Sequence, residues 1–138
     1  MSTAIPIRTR RHVVFSLHAH LVFVTKYRRC VFTKAMLDRM REIFTSVCHD
    51  FECTLEAFDG QQDHVHLMIH YPPKISLSKL VNSLKGVSSR MLRSEFKQAI
   101  KKCLWKNTLW SPSYFVASCG GAPISIVRQY IQSQTTPE

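Results

Sequence analysis

The sequence lacks any apolar run of the about 18 residues that a membrane-spanning helix needs. Arg8, Arg10 and Arg11 are not followed by the apolar segment and cleavage site of a secretory signal. The five cysteines form no C-x-x-C pair, and their odd number argues against both a disulfide framework and a zinc finger. These absences predict a cytoplasmic protein without membrane contact, whose cysteines stay reduced.

Acidic residues are also scarce. The chain has 9 of them against 19 lysines and arginines, which gives a formal net charge of +10. Such an imbalance favours a polyanionic partner and makes nucleic acid the first candidate. The sequence has no internal repeat or low-complexity segment, and its 138 residues predict a single domain over 1–138.

Apolar periodicity predicts the element order β-α-β-β-α-β followed by one more helix. Extended segments are expected over 12–32, 51–58, 64–71 and 110–118, and helices over 34–49, 76–102 and from 123 onward. This is the order of the ferredoxin-like α+β fold, an antiparallel four-stranded sheet with two helices on one face. The additional C-terminal helix carries Tyr130. The ends, about 1–9 and 135–138, are expected to fray.

The strongest chemical signal is a pair of histidines one residue apart, His64 and His66. Alternate residues of a strand point to the same face, so both imidazoles can meet one metal ion while Val65, Leu67 and Ile69 enter the core. Taken alone, the pair fits ordinary surface or packed histidines equally well.

A second signal lies near the C-terminus, where Tyr130 and Gln134 are four residues apart on a predicted helix. This spacing places a phenol and an amide oxygen on one surface. Two imidazoles and the Gln134 oxygen would suit Mg²⁺ or Mn²⁺, and Tyr130 would be the nucleophile toward a phosphodiester. Asp63 is a candidate to accept an imidazole N–H and orient that ring.

Basic segments are candidates for contacts to DNA phosphates, although each would also serve as a solvated surface. Tyr27 lies between cations and could stack on an unpaired base. We expect His18, His20 and His70 to be structural or to contact DNA rather than to bind a metal. The candidate DNA-binding residues are Arg10, Arg11, Lys26, Tyr27, Arg28, Arg29, Lys85 and Arg90.

Five segments in order along the chain resemble those of the single-tyrosine HUH transposases, the TnpA-type enzymes of the smallest insertion sequences. They are HLVFVTKYRR at 20–29, DHVHL at 63–67, LKGVSSR at 84–90, LWSPSYF at 109–115 and VRQYIQSQ at 127–134. The resemblance covers nearly the whole chain, and five ordered matches are far more specific than the histidine pair alone.

The resemblance implies cleavage and rejoining of single-stranded DNA at insertion-sequence ends, through a 5′-phosphotyrosine intermediate and without a nucleotide cofactor. By position, Tyr130 would attack, and His64, His66 and Gln134 would bind the divalent metal. The family also recognises hairpins at the element ends. It works as a homodimer in which the tyrosine helix serves the partner's histidines, and Gly120–Gly121 would provide the hinge.

A non-catalytic protein that binds single-stranded nucleic acid or hairpins is the alternative, because RRM domains have the same element order. An RRM places aromatic side chains on its central strands. The third strand here presents histidines instead, which favours catalysis.

Overall fold

The structure is a computed structural model that describes residues 7–10, 13–104, 106–118 and 124–134. Its strands are β1 (Arg8–Arg10), β2 (Val13–Phe15), β3 (His18–Val24), β4 (Thr54–Gly60), β5 (His64–His70) and β6 (Phe115–Ser118). Its helices are α1 (Lys34–Asp50), α2 (Leu77–Glu95), α3 (Lys97–Lys101) and α4 (Ile124–Ser133), with a 3-10 turn over Lys26–Arg28. None of the helices within these ranges has the length and apolar character to cross a membrane.

The main sheet has four strands in the order β4-β5-β3-β6, with every neighbouring pair antiparallel. The central strands are therefore β3 and β5, which are the first and third strands of this sheet along the chain. This is the predicted ferredoxin-like arrangement. Strands β1 and β2 form a separate two-stranded hairpin before it.

The hydrophobic core lies between one face of the sheet and helices α1 and α2. Leu67 of β5 and Phe23 of β3 are fully buried there, against Met40 and Phe44 of α1 and Leu84 of α2. Both helices begin where the sequence provides a side-chain cap: Thr33 accepts a hydrogen bond from the backbone N–H of Met36, and Ser76 accepts one from that of Lys79. The opposite face of the sheet is left for other contacts.

The predicted single strand over 12–32 is wrong. The extended chain is interrupted between β2 and β3, and β3 ends at Val24 because Tyr27 and Arg28 adopt positive φ angles of 59° and 54°, which no strand can continue. Residues 8 and 9, expected to fray, belong to β1 instead.

Two other boundaries differ from prediction. The segment over 110–118 is a strand only from Phe115, because the carbonyls of Ser111 and Ser113 accept hydrogen bonds from the Lys85 ammonium at 2.6 and 3.0 Å. The helix predicted over 76–102 divides at Phe96, whose φ of −118° and ψ of 39° are not helical.

Candidate active site

The sheet face opposite α1 and α2 carries the histidines, and we call it the histidine face. Val65, Leu67 and Ile69 are completely buried on the core side of β5, so the alternating side chains of His64 and His66 project from the other side. Both are half-buried, and their ring centroids lie 5.1 Å apart. The predicted orientation of this strand is therefore confirmed.

The His64 ring is held by a carboxylate that also binds an arginine. His64 Nδ1 lies 2.7 Å from Asp63 Oδ1, and Arg28 Nε donates to Asp63 Oδ2 at 2.9 Å. Burial would raise the pKa of Asp63, but the hydrogen bonds from His64 and Arg28 outweigh it and lower the pKa. An ionised Asp63 can only accept, so His64 Nδ1 donates to it and Nε2 is the ring nitrogen left for another contact.

His66 is held by a second histidine from the neighbouring strand. Its Nδ1 shares a hydrogen bond of 3.1 Å with Nε2 of His20. Burial, together with the nearby His64 and His20, lowers the pKa of His66 to about 4. The ring is therefore neutral at physiological pH. Two adjacent imidazoles, one of them oriented by Asp63, are ligands that fit a divalent metal.

Helix α4 packs on the histidine face beside this pair. Tyr130 and Ile131 contact Val22 and Val24 of β3, and the Tyr130 ring lies 5.7 Å from that of Phe115. In the β3–β5 register Val22 is opposite His66 and Val24 is opposite His64. Residues directly opposite one another in neighbouring strands share a face of the sheet. Tyr130 therefore packs against β3 on the histidine face, and His64 and His66 lie on the next strand, β5.

The polar groups of Tyr130 and Gln134 contact serines before β6. The Tyr130 hydroxyl is 2.9 Å from Ser113 Oγ, and the Gln134 amide oxygen accepts from Ser111 Oγ at 2.6 Å and from Ser113 Oγ at 3.3 Å. Burial raises the pKa of Tyr130, while the Ser113 contact opposes this. Within the described ranges, neither residue forms a hydrogen bond to His64 or His66. The structure thus places Tyr130 on the histidine face, with Gln134 sharing its Ser113 contact, without joining this pair to the histidines.

Lys85 fixes the segment that holds Tyr130 and Gln134. Its half-buried ammonium donates to the carbonyls of Ser111 and Ser113, and burial lowers its pKa to about 8. Lys85 is a candidate DNA contact from the sequence, whereas in the structure its ammonium group donates hydrogen bonds to backbone carbonyls of the protein itself. The serines themselves carry no sequence signal that would have revealed their part.

The remaining DNA-binding candidates lie in different places. Arg90 is exposed on α2, and Lys26, Tyr27, Arg28 and Arg29 form the turn that meets Asp63. Lys26 lies over the Tyr27 ring, 5.1 Å from its centroid. The side chain of Arg10 and the positions Arg11, Gly120 and Gly121 lie outside the described residues, so those contacts and the hinge stay predictions.

A cluster of possible metal ligands lies at the other end of the same face. His18 and His70, opposite one another in β3 and β5, meet Glu56 of β4, and one ligand atom from each lies within 4.8 Å of the others. Sequence reasoning assigned these histidines structural or DNA-contacting roles and did not single out Glu56. Strand alternation could not reveal the cluster, because Glu56 is the extra residue at an irregularity in the register of β4.

Comparison with known proteins gives a consistent result. The family model described as "Transposase IS200 like" matches residues 13–134. The chain is 29% identical to the ISDra2 transposase TnpA of Deinococcus radiodurans over 93% of this chain and 91% of that protein. It is 30% identical to a transposase for insertion sequence element IS200 of Salmonella typhimurium, over 89% of this chain and 80% of that protein.

Solved structures agree with the fold. A transposase structure from Deinococcus radiodurans R1 matches with a TM-score of 0.82 and 28% identity, covering 94% of this chain and 99% of that one. A REP-associated tyrosine transposase bound to a REP hairpin matches with a TM-score of 0.57 and 14% identity, over 90% of this chain and 67% of that one. The second likeness concerns the fold alone.

Proposed function

Because this chain belongs to the family of IS200-like transposases, we propose that it cleaves and rejoins single-stranded DNA at insertion-sequence ends, with Tyr130 as the nucleophile. The observation that carries the proposal is the packing of Tyr130 on Val22 and Val24, the register partners of His66 and His64. The alternative function is binding of single-stranded nucleic acid or hairpins without cleavage.

His64, His66 and Gln134 would hold a divalent metal, Mg²⁺ or Mn²⁺. When bound, such an ion neutralises and polarises the scissile phosphate. Asp63 accepts the Nδ1 proton of His64 and thereby directs the ring's Nε2 toward the site. The 3.1 Å contact between His20 Nε2 and His66 Nδ1 would fix the orientation of the His66 ring.

In the cleavage step the Tyr130 oxygen attacks the phosphorus and forms a new P–O bond. The bond from phosphorus to the 3′-oxygen breaks, the phenolic proton passes to solvent, and the 3′-oxygen takes up a proton to leave as a free 3′-OH. Rejoining is the reverse, with a 3′-OH attacking the 5′-phosphotyrosine and releasing the phenol. The bond energy is conserved, so no nucleotide cofactor is needed.

Completing the site requires α4 to exchange its contacts. Tyr130 and Gln134 leave Ser113 and Ser111 and meet the histidines of the same chain or of the partner in a homodimer. The family resemblance favours the exchanged arrangement, and the net charge of +10 supports DNA as the partner, single-stranded with hairpins at the element ends. The turn 26–29, whose Arg28 pairs with Asp63, would supply cations and Tyr27 for contacts to the DNA.

The direct test is a search for a covalent product. Labelled single-stranded DNA that carries the ends of the element is incubated with the protein and Mg²⁺ or Mn²⁺, and adducts are resolved on a denaturing gel. Tyr130→Phe should bind the DNA and form no adduct. Tyr71→Phe, the same change at a half-buried tyrosine packed on the core, should behave like the wild type.

An adduct that persists in Tyr130→Phe would reject Tyr130 as the nucleophile. If the wild type binds the DNA and yields no adduct with any divalent ion, the non-catalytic alternative is supported instead.

The histidine pair has its own test. His64→Ala should lose ion-dependent cleavage, because one of the two adjacent imidazoles is removed. Cleavage is measured over a Mn²⁺ titration, with His49→Ala on the exposed surface of α1 as the control. Cleavage by His64→Ala with the wild-type ion dependence would rule out His64 as a ligand.

A further inference from the structure

The cluster of His18, Glu56 and His70 has the composition and burial of a metal site. His18 Nε2 lies 3.1 Å from Glu56 Oε1, and His70 Nδ1 lies 3.8 Å from Glu56 Oε2. The two histidine side chains are only 4% and 2% exposed, whereas that of Glu56 is 23% exposed. The imidazoles are thus enclosed, and the carboxylate connects them to the surface.

Glu56 reaches the histidines through an irregularity of β4. Leu55 pairs with Ile69 and Ala57 pairs with Met68, so Glu56 is an additional residue between two consecutive pairs. Such bulges redirect a side chain and recur next to functional sites. Here the bulge places a carboxylate beside the two histidines that face each other across β3 and β5.

Within the described part of the chain, a buried ring nitrogen of His18 lacks a hydrogen bond of ordinary geometry. His18 Nε2 is fully buried and, among the described residues, has no hydrogen bond of acceptable geometry, although the Glu56 carboxylate is close. A buried polar nitrogen without a hydrogen bond is costly and calls for an explanation. An ion between the nitrogen and the carboxylate would provide one, because it would use the lone pair of His18 directly.

We propose that His18, His70 and Glu56 bind a divalent transition-metal ion of the Zn²⁺ type, at a site separate from His64 and His66. Two imidazoles and one carboxylate are an established ligand set for zinc. Mg²⁺ prefers oxygen ligands and keeps its water, which fits this enclosed, nitrogen-rich site poorly. His70 is four residues beyond His66 on β5, about 13 Å along the strand, so one ion cannot serve both pairs.

Binding has a structural signature. The His18 and His70 rings are stacked, with centroids 4.3 Å apart and planes 13° from parallel. Two parallel rings cannot both direct a lone pair at one ion, so loading tilts one ring out of the stack. The Phe15 ring lies 5.7 Å from that of His70, so its surroundings would change if His70 moves. The bound ion would join both central strands to the edge strand β4, which is a structural role.

The test uses the full chain with His64→Ala and His66→Ala, which removes the pair assigned to catalysis. Titration with ZnCl₂, followed by calorimetry, should show one ion bound, and Zn²⁺ should raise the melting temperature. The ring resonances of His18 and His70 should shift together in NMR spectra. Adding Glu56→Gln should weaken binding by more than the about 10–100-fold cost of losing an outer hydrogen-bonding partner.

Glu52→Gln is the matched control, because it makes the same change at an exposed carboxylate that pairs with Lys74 instead. It should leave Zn²⁺ affinity unchanged. His70→Ala should also abolish binding, and circular dichroism establishes whether that variant is folded. If it is not, Glu56→Gln decides, because Glu56 is partly exposed and the change preserves its shape.

Two results would overturn the proposal. One is the absence of Zn²⁺ binding in the His64→Ala, His66→Ala chain. The other is binding that Glu56→Gln leaves unchanged, which would assign the ion to other ligands such as the exposed Cys30. Neither outcome bears on DNA cleavage, which is measured separately.

Discussion

The two halves of the candidate active site are held in different ways. The histidine half belongs to β5, which pairs with strands on both sides and buries Val65, Leu67 and Ile69 completely. The tyrosine half belongs to α4, which packs on a small cluster around Val22 and Val24 and uses hydrogen bonds to serine hydroxyls. One half is built into the core of the domain, whereas the other is attached to its surface.

This difference separates what can move from what cannot. Moving β5 would break two strand ladders and the core, which amounts to global unfolding. Among the described side chains of α4, Tyr130 and Ile131 pack on the apolar cluster and Tyr130 and Gln134 hydrogen-bond to serines, and elements held by such contacts open at lower free-energy cost than core strands. The proposed exchange of contacts by Tyr130 and Gln134 is therefore confined to the half that can open.

The largest expected effect is on the histidine half. Leu67→Ala removes a fully buried side chain from the centre of the core and should lower the free energy of unfolding by about 2–5 kcal/mol. Urea denaturation measures the change. Ile131→Ala, at a half-buried position of α4, should lower the free energy of unfolding by clearly less. Equal losses in the two variants would contradict the comparison.

An intermediate effect is expected where the histidine half would hold the proposed metal ion. Asp63→Asn replaces the ionised acceptor of His64 by a neutral amide, so the ring loses its defined orientation. The Mn²⁺ concentration needed for half-maximal cleavage should rise by about 10–100-fold. Asp38→Asn, an exposed site on α1 that pairs with Lys34, should leave it unchanged. An unaltered Mn²⁺ requirement in Asp63→Asn would show that Asp63 does not act through His64.

The smallest effect is expected on the tyrosine half. Ser113→Ala removes the hydroxyl that contacts both Tyr130 and Gln134. The free energy needed to detach α4 from the sheet should fall by about 0.5–1.5 kcal/mol. Amide hydrogen exchange should accelerate within 128–134, while the urea midpoint changes little. Ser46→Ala, exposed on α1, is the control. Unchanged exchange in α4 would mean that the serine contacts do not hold the helix.

Much of the architecture follows from local pattern. Alternation around His64 and His66 correctly predicts which face of β5 is buried, and the predicted helix starts at 34 and 76 lie within one residue of those of α1 and α2. These features depend on neighbours in sequence, so periodicity and capping preferences report them directly.

The features that sequence did not predict depend on distant contacts. The turn at Tyr27 and Arg28 is stabilised by the arginine's contact with Asp63, thirty-five residues away. Ser111 and Ser113 stay out of a strand because of Lys85 on α2. Such arrangements depend on which elements meet in space, which a strand pattern does not encode.

The carboxylate of Asp63 has a consequence for how relatives of this chain diverge. One oxygen receives His64, and the other receives Arg28, from the turn proposed to contact DNA. A lineage that adapts this turn to a new DNA sequence would thereby also alter the support of the proposed metal ligand His64. Positions 28 and 63 are therefore expected to covary among relatives, more strongly than either does with the exposed Arg29.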